Sequence, residues 1–161
     1  LNDNNFYVFV ISNQSGIGRG YYTHVEVEKL HGLINDDMIR ENGHIDEFVY
    51  APYFKDTRLK FTNKEKLMRK PDKGMINYLF NKWEIDKKKS IIVGDKKSDE
   101  KLASNCKIKY FDINNRNQKL LDYFKNKVWL SIDLAYFGQC IESWWGIMWK
   151  TLTVPATVNF L

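Results

Sequence analysis

The segment Phe6–Ile11 (FYVFVI) is apolar at every position and rich in aromatic and β-branched residues. A strand with one wet face alternates apolar with polar; a strand covered by helices on both faces does not. The run therefore predicts a central strand of a parallel sheet. That assignment constrains everything after it, because parallel neighbours require crossover connections, usually helical.

The chain supplies them. Ser12–Gly20 (SNQSGIGRG) predicts a loop of small polar residues and glycine. Thr23 stands as an N-cap with Glu26 at the capping-box position, opening a helix whose stripe is Val27, Leu30, Leu33, Ile34 and Met38. Asn42-Gly43 stops it, and Ile45–Ala51 predicts a second strand ended by Pro52. Residues 53–70 form a lysine-rich connection longer than most, which points to a functional or mobile loop. Pro71-Asp72-Lys73-Gly74 then leads into a helix with Met75, Ile76, Leu79, Phe80 and Trp83. A buried strand, Ser90–Val93, ends in Gly94-Asp95. A helix over Ser98–Asn105, a strand over Lys107–Phe111 and an amphipathic helix over Asn115–Lys125 follow. Alternation at this spacing predicts an α/β domain whose ligands bind at the carboxyl ends of the strands.

Charge and cysteine narrow the function. The net charge of +5 is spread among acids, with its sharpest cluster at Asp86-Lys87-Lys88-Lys89, so no basic stripe forms. That favours a small phosphorylated ligand over a dedicated nucleic-acid binder. Cys106 and Cys140 are far apart and lie in no CxxC pair, which argues against thiolate metal binding and for a reduced, cytoplasmic setting. His24, His31 and His44 share no ligand spacing and are assigned surface or cap roles. Phe80, Trp83 and Cys106 are read as core.

From Val128 the composition changes. Asp133, Glu142 and Lys150 are its only charges, and Trp129, Trp144, Trp145 and Trp149 crowd a short span. Glu142 and Lys150 interrupt what would otherwise be a run of about 20 apolar residues, so no transmembrane helix is expected. The tail packs on the domain, contacts a partner or membrane surface, or is foreign sequence joined to it; the residues leave these alternatives open.

Three polar constellations sit where ligands bind. Ser12-Asn13 places a hydroxyl and an amide after the central strand, beside glycines whose N–H groups favour anions. Arg69-Lys70-Pro71 puts two cations before a helix. Gly94-Asp95-Lys96-Lys97-Ser98-Asp99 sets one carboxylate at a strand tip and a second four residues on, an arrangement suited to Mg²⁺.

In this order the segments SNQSGIGRGY, RKPDKGM and IIVGDKKSD resemble motifs II, III and IV of the haloacid dehalogenase superfamily. They are similar to the branch holding heptose 1,7-bisphosphate phosphatases and histidinol-phosphate phosphatases, over about residues 6 to 112. The resemblance implies a Rossmann-like fold and Mg²⁺-dependent hydrolysis of a phosphate monoester, most simply on a phosphorylated sugar. In it Ser12 and Asn13 hold the transferring phosphoryl group while Lys70 neutralises its charge. Asp95 binds Mg²⁺ with Asp99 supporting the site. Gln14, Ser15, Gly16 and Arg19 shape the substrate end, joined by Arg69 and Lys96. Polynucleotide 3′-phosphatases, which share an N-Q-x-x-I-G-R-G loop, are an alternative in the same superfamily, as is histidinol phosphatase.

Two departures qualify the expectation. Where the branch carries a Cys-x-His and Cys-x-Cys zinc loop, this chain has Ala51, Tyr53, Lys66 and Met68, so no zinc is expected. The family's nucleophile lies in a D-x-D-G motif on a first strand some tens of residues upstream, yet only eleven residues precede Ser12. The expected unit is thus a phosphatase domain over residues 1–127 without its first strand, followed by the tail at 128–161. Such a chain, impaired in turnover, is either a truncated enzyme or a non-catalytic phosphate-binding remnant. Trp129–Asp133 is an apolar run ending in aspartate, as a relocated first strand would be, but Ala135 stands where the second aspartate belongs. That argues against such a relocation. A sheet without its first strand would also expose an apolar edge beside Phe6–Ile11, and the tail is a candidate cover.

Overall fold

The computed structural model describes residues 2, 6–57, 59–113 and 130–132, the last by their backbone course alone. Strand β1 (Val8–Asn13) is buried at its first five positions. Its side chains divide by the two-residue period of a strand. Phe9 and Ile11 enter a core with Val49, Met75, Leu79, Ile92 and Leu102. Val8 and Val10 pack on the opposite face with Ile45, Ile34, Met38 and Phe48. Each fully buried side chain of this size contributes about 1.5–3 kcal/mol, which is why the run tolerates no polar residue.

The segment expected as a loop after β1 contains a helical turn, α1 (Ser15–Arg19), so its glycines are partly helical rather than merely turn-forming. Helix α2 (His24–Arg40) starts with the expected reciprocal capping box of Thr23 and Glu26. His31 departs from its expected surface role: it is 6% exposed and its ring stacks on Phe48 at 4.3 Å. Leu33, expected on the apolar stripe, is 55% exposed, because the helix turns His31 rather than Leu33 toward the sheet.

Strand β2 (Glu47–Ala51) pairs in parallel with β1, matching Ser12 to Tyr50 and Asn13 to Ala51. The long connection after it folds in part into α3 (Asn63–Leu67), which has its own capping box from Thr62 and Glu65. Helix α4 (Gly74–Lys82) follows, and Trp83 just beyond it meets Tyr7 and Phe9 edge-on at 4.8 and 5.3 Å. Strand β3 (Ile91–Gly94), helix α5 (Lys97–Cys106) and strand β4 (Lys109–Asp112) complete the second half, with Cys106 buried in the core as expected.

The two halves meet through a short strand from the tail, β5 (Leu130–Ile132), in the parallel order β2-β1-β5-β3-β4. Val10, Ile132 and Val93 stand abreast across its middle. The sheet is the parallel α/β sheet expected. The place beside β1, argued above to want cover, is taken by residues that follow β4 in the chain. This differs from the reading of Leu130–Ile132 as no relocated strand: three residues, Leu130-Ser131-Ile132, suffice to satisfy two open strand edges, whether or not the chemistry of a first strand accompanies them. Asp133, the expected helix over Asn115–Lys125, Cys140 and the tryptophans of the tail lie outside the described residues. Among the described residues no helix is long and apolar enough to cross a membrane.

Candidate active site

Parallel strands deliver their carboxyl ends to one edge of the sheet, and the three motif loops leave from β1, the end of the 52–70 connection and β3. Lys70 ties them together. Its side chain is 1% exposed, and its Nζ donates to the Ile11 carbonyl at 2.9 Å and pairs with Asp99 Oδ1 at 2.9 Å. The buried ammonium thus joins the carboxyl half of β1 to the first turn of α5.

Asn13 fixes the backbone that carries this lysine. Its Nδ2 donates to the Lys70 carbonyl at 3.1 Å, and its Oδ1 accepts from the Lys70 N–H at 2.8 Å. Both polar atoms of the amide are used, so Asn13 acts on the site through Lys70. The Lys70–Pro71 peptide is cis.

Asp99 is equally committed. It is 1% exposed, with Oδ1 on Lys70 and Oδ2 accepting the Lys96 N–H at 3.1 Å. Gly94 makes this approach possible, because a Cβ there would lie 2.6 Å from Asp99 Cβ and 2.7 Å from its Oδ2. Ser12 is fully buried and accepts from Gln14 Nε2 at 3.1 Å, while Gln14 Oε1 accepts from the Tyr22 hydroxyl at 2.7 Å. This chain orients the serine oxygen. Burial holds the Tyr22 hydroxyl above its ordinary pKa, against a lowering hydrogen bond to Gly16, so it stays a donor.

The remaining predicted residues frame this centre. Ser15 and Gly16 open α1, and Arg19 ends it. Arg69 is half-buried and donates through Nη1 to the Tyr53 carbonyl at 3.0 Å. Asp95 is exposed immediately beyond β3, and Lys96 precedes α5. Sequence reasoning missed Tyr22 and Tyr110, which carry no motif signal, and did not foresee that Asp99 would serve Lys70 directly.

Does this set suit magnesium? Among the described residues no group of three or more His, Cys, Asp or Glu side chains could enclose an ion. Magnesium does not need one, since it typically takes one or two carboxylates and fills its octahedron with water and phosphate oxygens. Several carboxylates lie close to the tip of β3. The Tyr110 hydroxyl, bonded to the Gly94 carbonyl at 2.9 Å, is held far above its ordinary pKa by burial and then by Asp112, Asp99, Glu100 and Asp95. With Asp99 occupied by Lys70, Asp95 is the carboxylate that fits such an ion.

The chain matches the sequence profile of the polynucleotide kinase 3 phosphatase family over residues 1–115. A D-glycero-beta-D-manno-heptose-1,7-bisphosphate 7-phosphatase of Rhodopseudomonas palustris is 30% identical over 135 residues, covering 84% of this chain and 73% of the relative. The alpha-anomer enzyme of Photorhabdus laumondii is 34% identical over 99 residues, covering 62% of this chain and 54% of the relative. The chain therefore spans between half and three quarters of the length of these relatives. Among solved structures, the D,D-heptose 1.7-bisphosphate phosphatase from B. bronchiseptica, complexed with magnesium and phosphate, superposes with a TM-score of 0.59. It is 22% identical, covering 68% of this chain and 57% of that one, and it shows the shared fold.

Proposed function

The chain belongs to the polynucleotide kinase 3 phosphatase family of haloacid-dehalogenase-type phosphatases, and on that premise we propose that its site handles the phosphate monoester of a sugar bisphosphate of the heptose 1,7-bisphosphate kind. The observation that carries this reading is Lys70: a buried ammonium spanning the Ile11 carbonyl and the Asp99 carboxylate, where the strand tips meet. Phosphoryl transfer is catalysed mainly by positioning and by neutralising charge, so a fixed cation at this place has a direct use.

In this proposal the Ser12 hydroxyl, its oxygen already held by Gln14, donates to a phosphoryl oxygen. Lys70 neutralises charge on the same group. Asn13 holds Lys70 in register, and Asp99 keeps its ammonium aimed. Gln14, Ser15, Gly16 and Arg19 shape the leaving-group side with Arg69 and Lys96. Magnesium held at Asp95 would neutralise further charge on the phosphate. Turnover also needs a nucleophilic carboxylate, which the family carries in a D-x-D-G motif on a separate strand. We infer that the cradle by itself binds phosphate and is impaired in hydrolysis unless such a carboxylate joins it.

The test compares this chain with a version extended upstream by a strand bearing D-x-D-G. Phosphate release from heptose 1,7-bisphosphate and p-nitrophenyl phosphate, with magnesium, is expected from the extended version alone. Release by the present chain that survives loss of Asp95 would overturn the impairment. Failure of both versions to bind phosphate would overturn the whole reading. The family profile that matches is named for a polynucleotide 3′-phosphatase, which favours one rival substrate. A steep, salt-dependent affinity for DNA in the same titrations would move the proposal there.

A further inference from the structure

The N-cap position of α1 is filled by Gln14, a buried residue whose side chain makes no capping bond. Serine, threonine, asparagine or aspartate there would satisfy a first-turn N–H. In this chain Tyr22 does so from outside the helix: its hydroxyl accepts a hydrogen bond from the backbone of Gly16, the second residue of α1. The approach demands glycine, because a Cβ at position 16 would run into the Tyr22 ring. The Gln14 amide is thereby released for a different use.

A hydroxyl that accepts from a backbone N–H keeps its own hydrogen for another partner. The Tyr22 hydrogen goes to Gln14 Oε1 at 2.7 Å, which turns the amide so that Nε2 donates to Ser12 Oγ at 3.1 Å. Every bond in the series therefore runs one way, from the Gly16 N–H through Tyr22 and Gln14 to Ser12. Among the described residues Gln14 is the only side-chain partner of Ser12 Oγ. With a donor already on its oxygen, the serine meets a ligand best by giving its hydrogen. Were the amide reversed, Ser12 would donate inward to Oε1 instead.

We propose that Tyr22 is a positioning residue that sets the direction of these hydrogen bonds, so that the cradle presents Ser12 as a donor and selects the phosphate dianion over its protonated monoanion. The inference rests on the phosphatase reading and adds to it a residue that acts through Gln14. A dianion offers only acceptors to Ser12 and Lys70, whereas a monoanion carries a P–OH that a donor serine cannot use. Hydrogen bonds aligned in one direction also polarise one another, which strengthens the donor at the end of the series.

Calorimetric titration of the full chain with heptose 7-phosphate and with sulfate, at pH 7.5 and 5.5, tests it. The monoester gains a proton near pH ~6, whereas sulfate stays a proton-free dianion throughout. Sulfate therefore reports what Lys70, Asp99, Asp95 and the protein's other titrating groups contribute. Relative to sulfate, the wild type should bind the monoester about fourfold more weakly at the lower pH, following its dianion fraction. Tyr22→Phe lets Gln14 reverse and draw the serine hydrogen inward, so sulfate affinity should fall about tenfold at both pH values. The fourfold ratio should shrink to under about twofold, because the monoanion can then donate to Ser12 Oγ. Tyr21→Phe, at an exposed neighbour, should change neither. A Tyr22→Phe variant that weakens both ligands equally and keeps the wild-type ratio would make the tyrosine a mere loop support and overturn the proposal. So would a wild-type ratio near one, which needs no variant to be measured. A wild type that binds neither sulfate nor the monoester at pH 7.5 would instead sink the phosphoryl cradle, and the role of Tyr22 with it.

Discussion

Lys70–Asp99 and Lys82–Glu47 are lysine–carboxylate pairs of nearly equal length, 2.9 and 2.8 Å, set in opposite surroundings. The first has both side chains 1% exposed, whereas the second leaves Lys82 half exposed and Glu47 15% exposed. The second stands at the amino end of β2, where Glu47 also accepts from Trp83 Nε1 at 2.6 Å and from the Tyr78 hydroxyl at 2.8 Å. Removing two charges from water is costly, and a buried pair is seldom a better stabiliser than apolar side chains of the same volume. A fold that needs only adhesion has no reason to bury Lys70. A site that must present a fixed positive charge to phosphate does.

The comparison breaks most visibly at Lys70. Lys70→Met should destabilise the protein by about 3–5 kcal/mol in urea denaturation, because Asp99 is left buried and uncompensated. Phosphate binding should vanish with it. Combining Lys70→Met with Asp99→Leu should recover most of the stability and none of the binding. A double variant that still binds phosphate would remove Lys70 from the proposed chemistry.

Gly94→Ala probes the same pair from its other side. A methyl group at 2.6 Å from Asp99 Cβ must displace either the strand tip or the carboxylate, at a cost of about 1–3 kcal/mol and with weaker phosphate binding. Gly32→Ala is the control, since nothing lies within 4 Å of a Cβ there. In the interior of α2 that exchange should stabilise by about 0.5–1 kcal/mol. Equal effects at the two glycines would show that the contact with Asp99 is unimportant.

These contrasts also explain what was legible beforehand. The apolar run of β1 and the Thr23–Glu26 box are local codes, read from neighbours in sequence, and both fold as expected. The motif loops were legible as a set because strand-tip residues share one sheet edge. Their partners were not, because Asn13 meets Lys70 across 57 positions and Lys70 meets Ile11 across 59. No periodicity reports such pairs. His31 was misplaced for a related reason: it sits one position past Leu30 on a face where Phe48 supplies a flat partner, a feature of β2 rather than of the helix.

Burial pushes the His31 pKa down to about 4, and its Nε2 has no hydrogen-bond partner. The unfolded chain, with an ordinary histidine near 6.5, binds the proton more readily between those values, so stability should fall as pH drops from about 6.5 toward 4. The loss should be on the order of 1–2 kcal/mol, allowing for partial screening by solvent. His31→Phe should flatten this part of the pH profile of the urea midpoint. An unchanged slope in that variant would assign the acid sensitivity to other groups. Phosphate affinity at pH 7.5 should be untouched, since His31 lies on the α2 face of the sheet rather than at its carboxyl edge.

The smallest effect belongs to Glu47. Burial alone would raise its carboxyl pKa, but hydrogen bonds from Lys82, Trp83 and Tyr78 outweigh it and hold the group below its ordinary value. Its contribution is therefore present above the unfolded pKa and fades as pH falls through the lower folded one. Glu47→Gln keeps an acceptor for the Trp83 indole and removes only the charge, in a pair that water already screens. The expected loss is under about 1 kcal/mol, with a shift in tryptophan emission and no change in phosphate binding. A loss as large as that of Lys70→Met, or any movement in phosphate affinity, would mean that exposure does not separate the two pairs. The buried charge at Lys70 would then need an explanation other than its use.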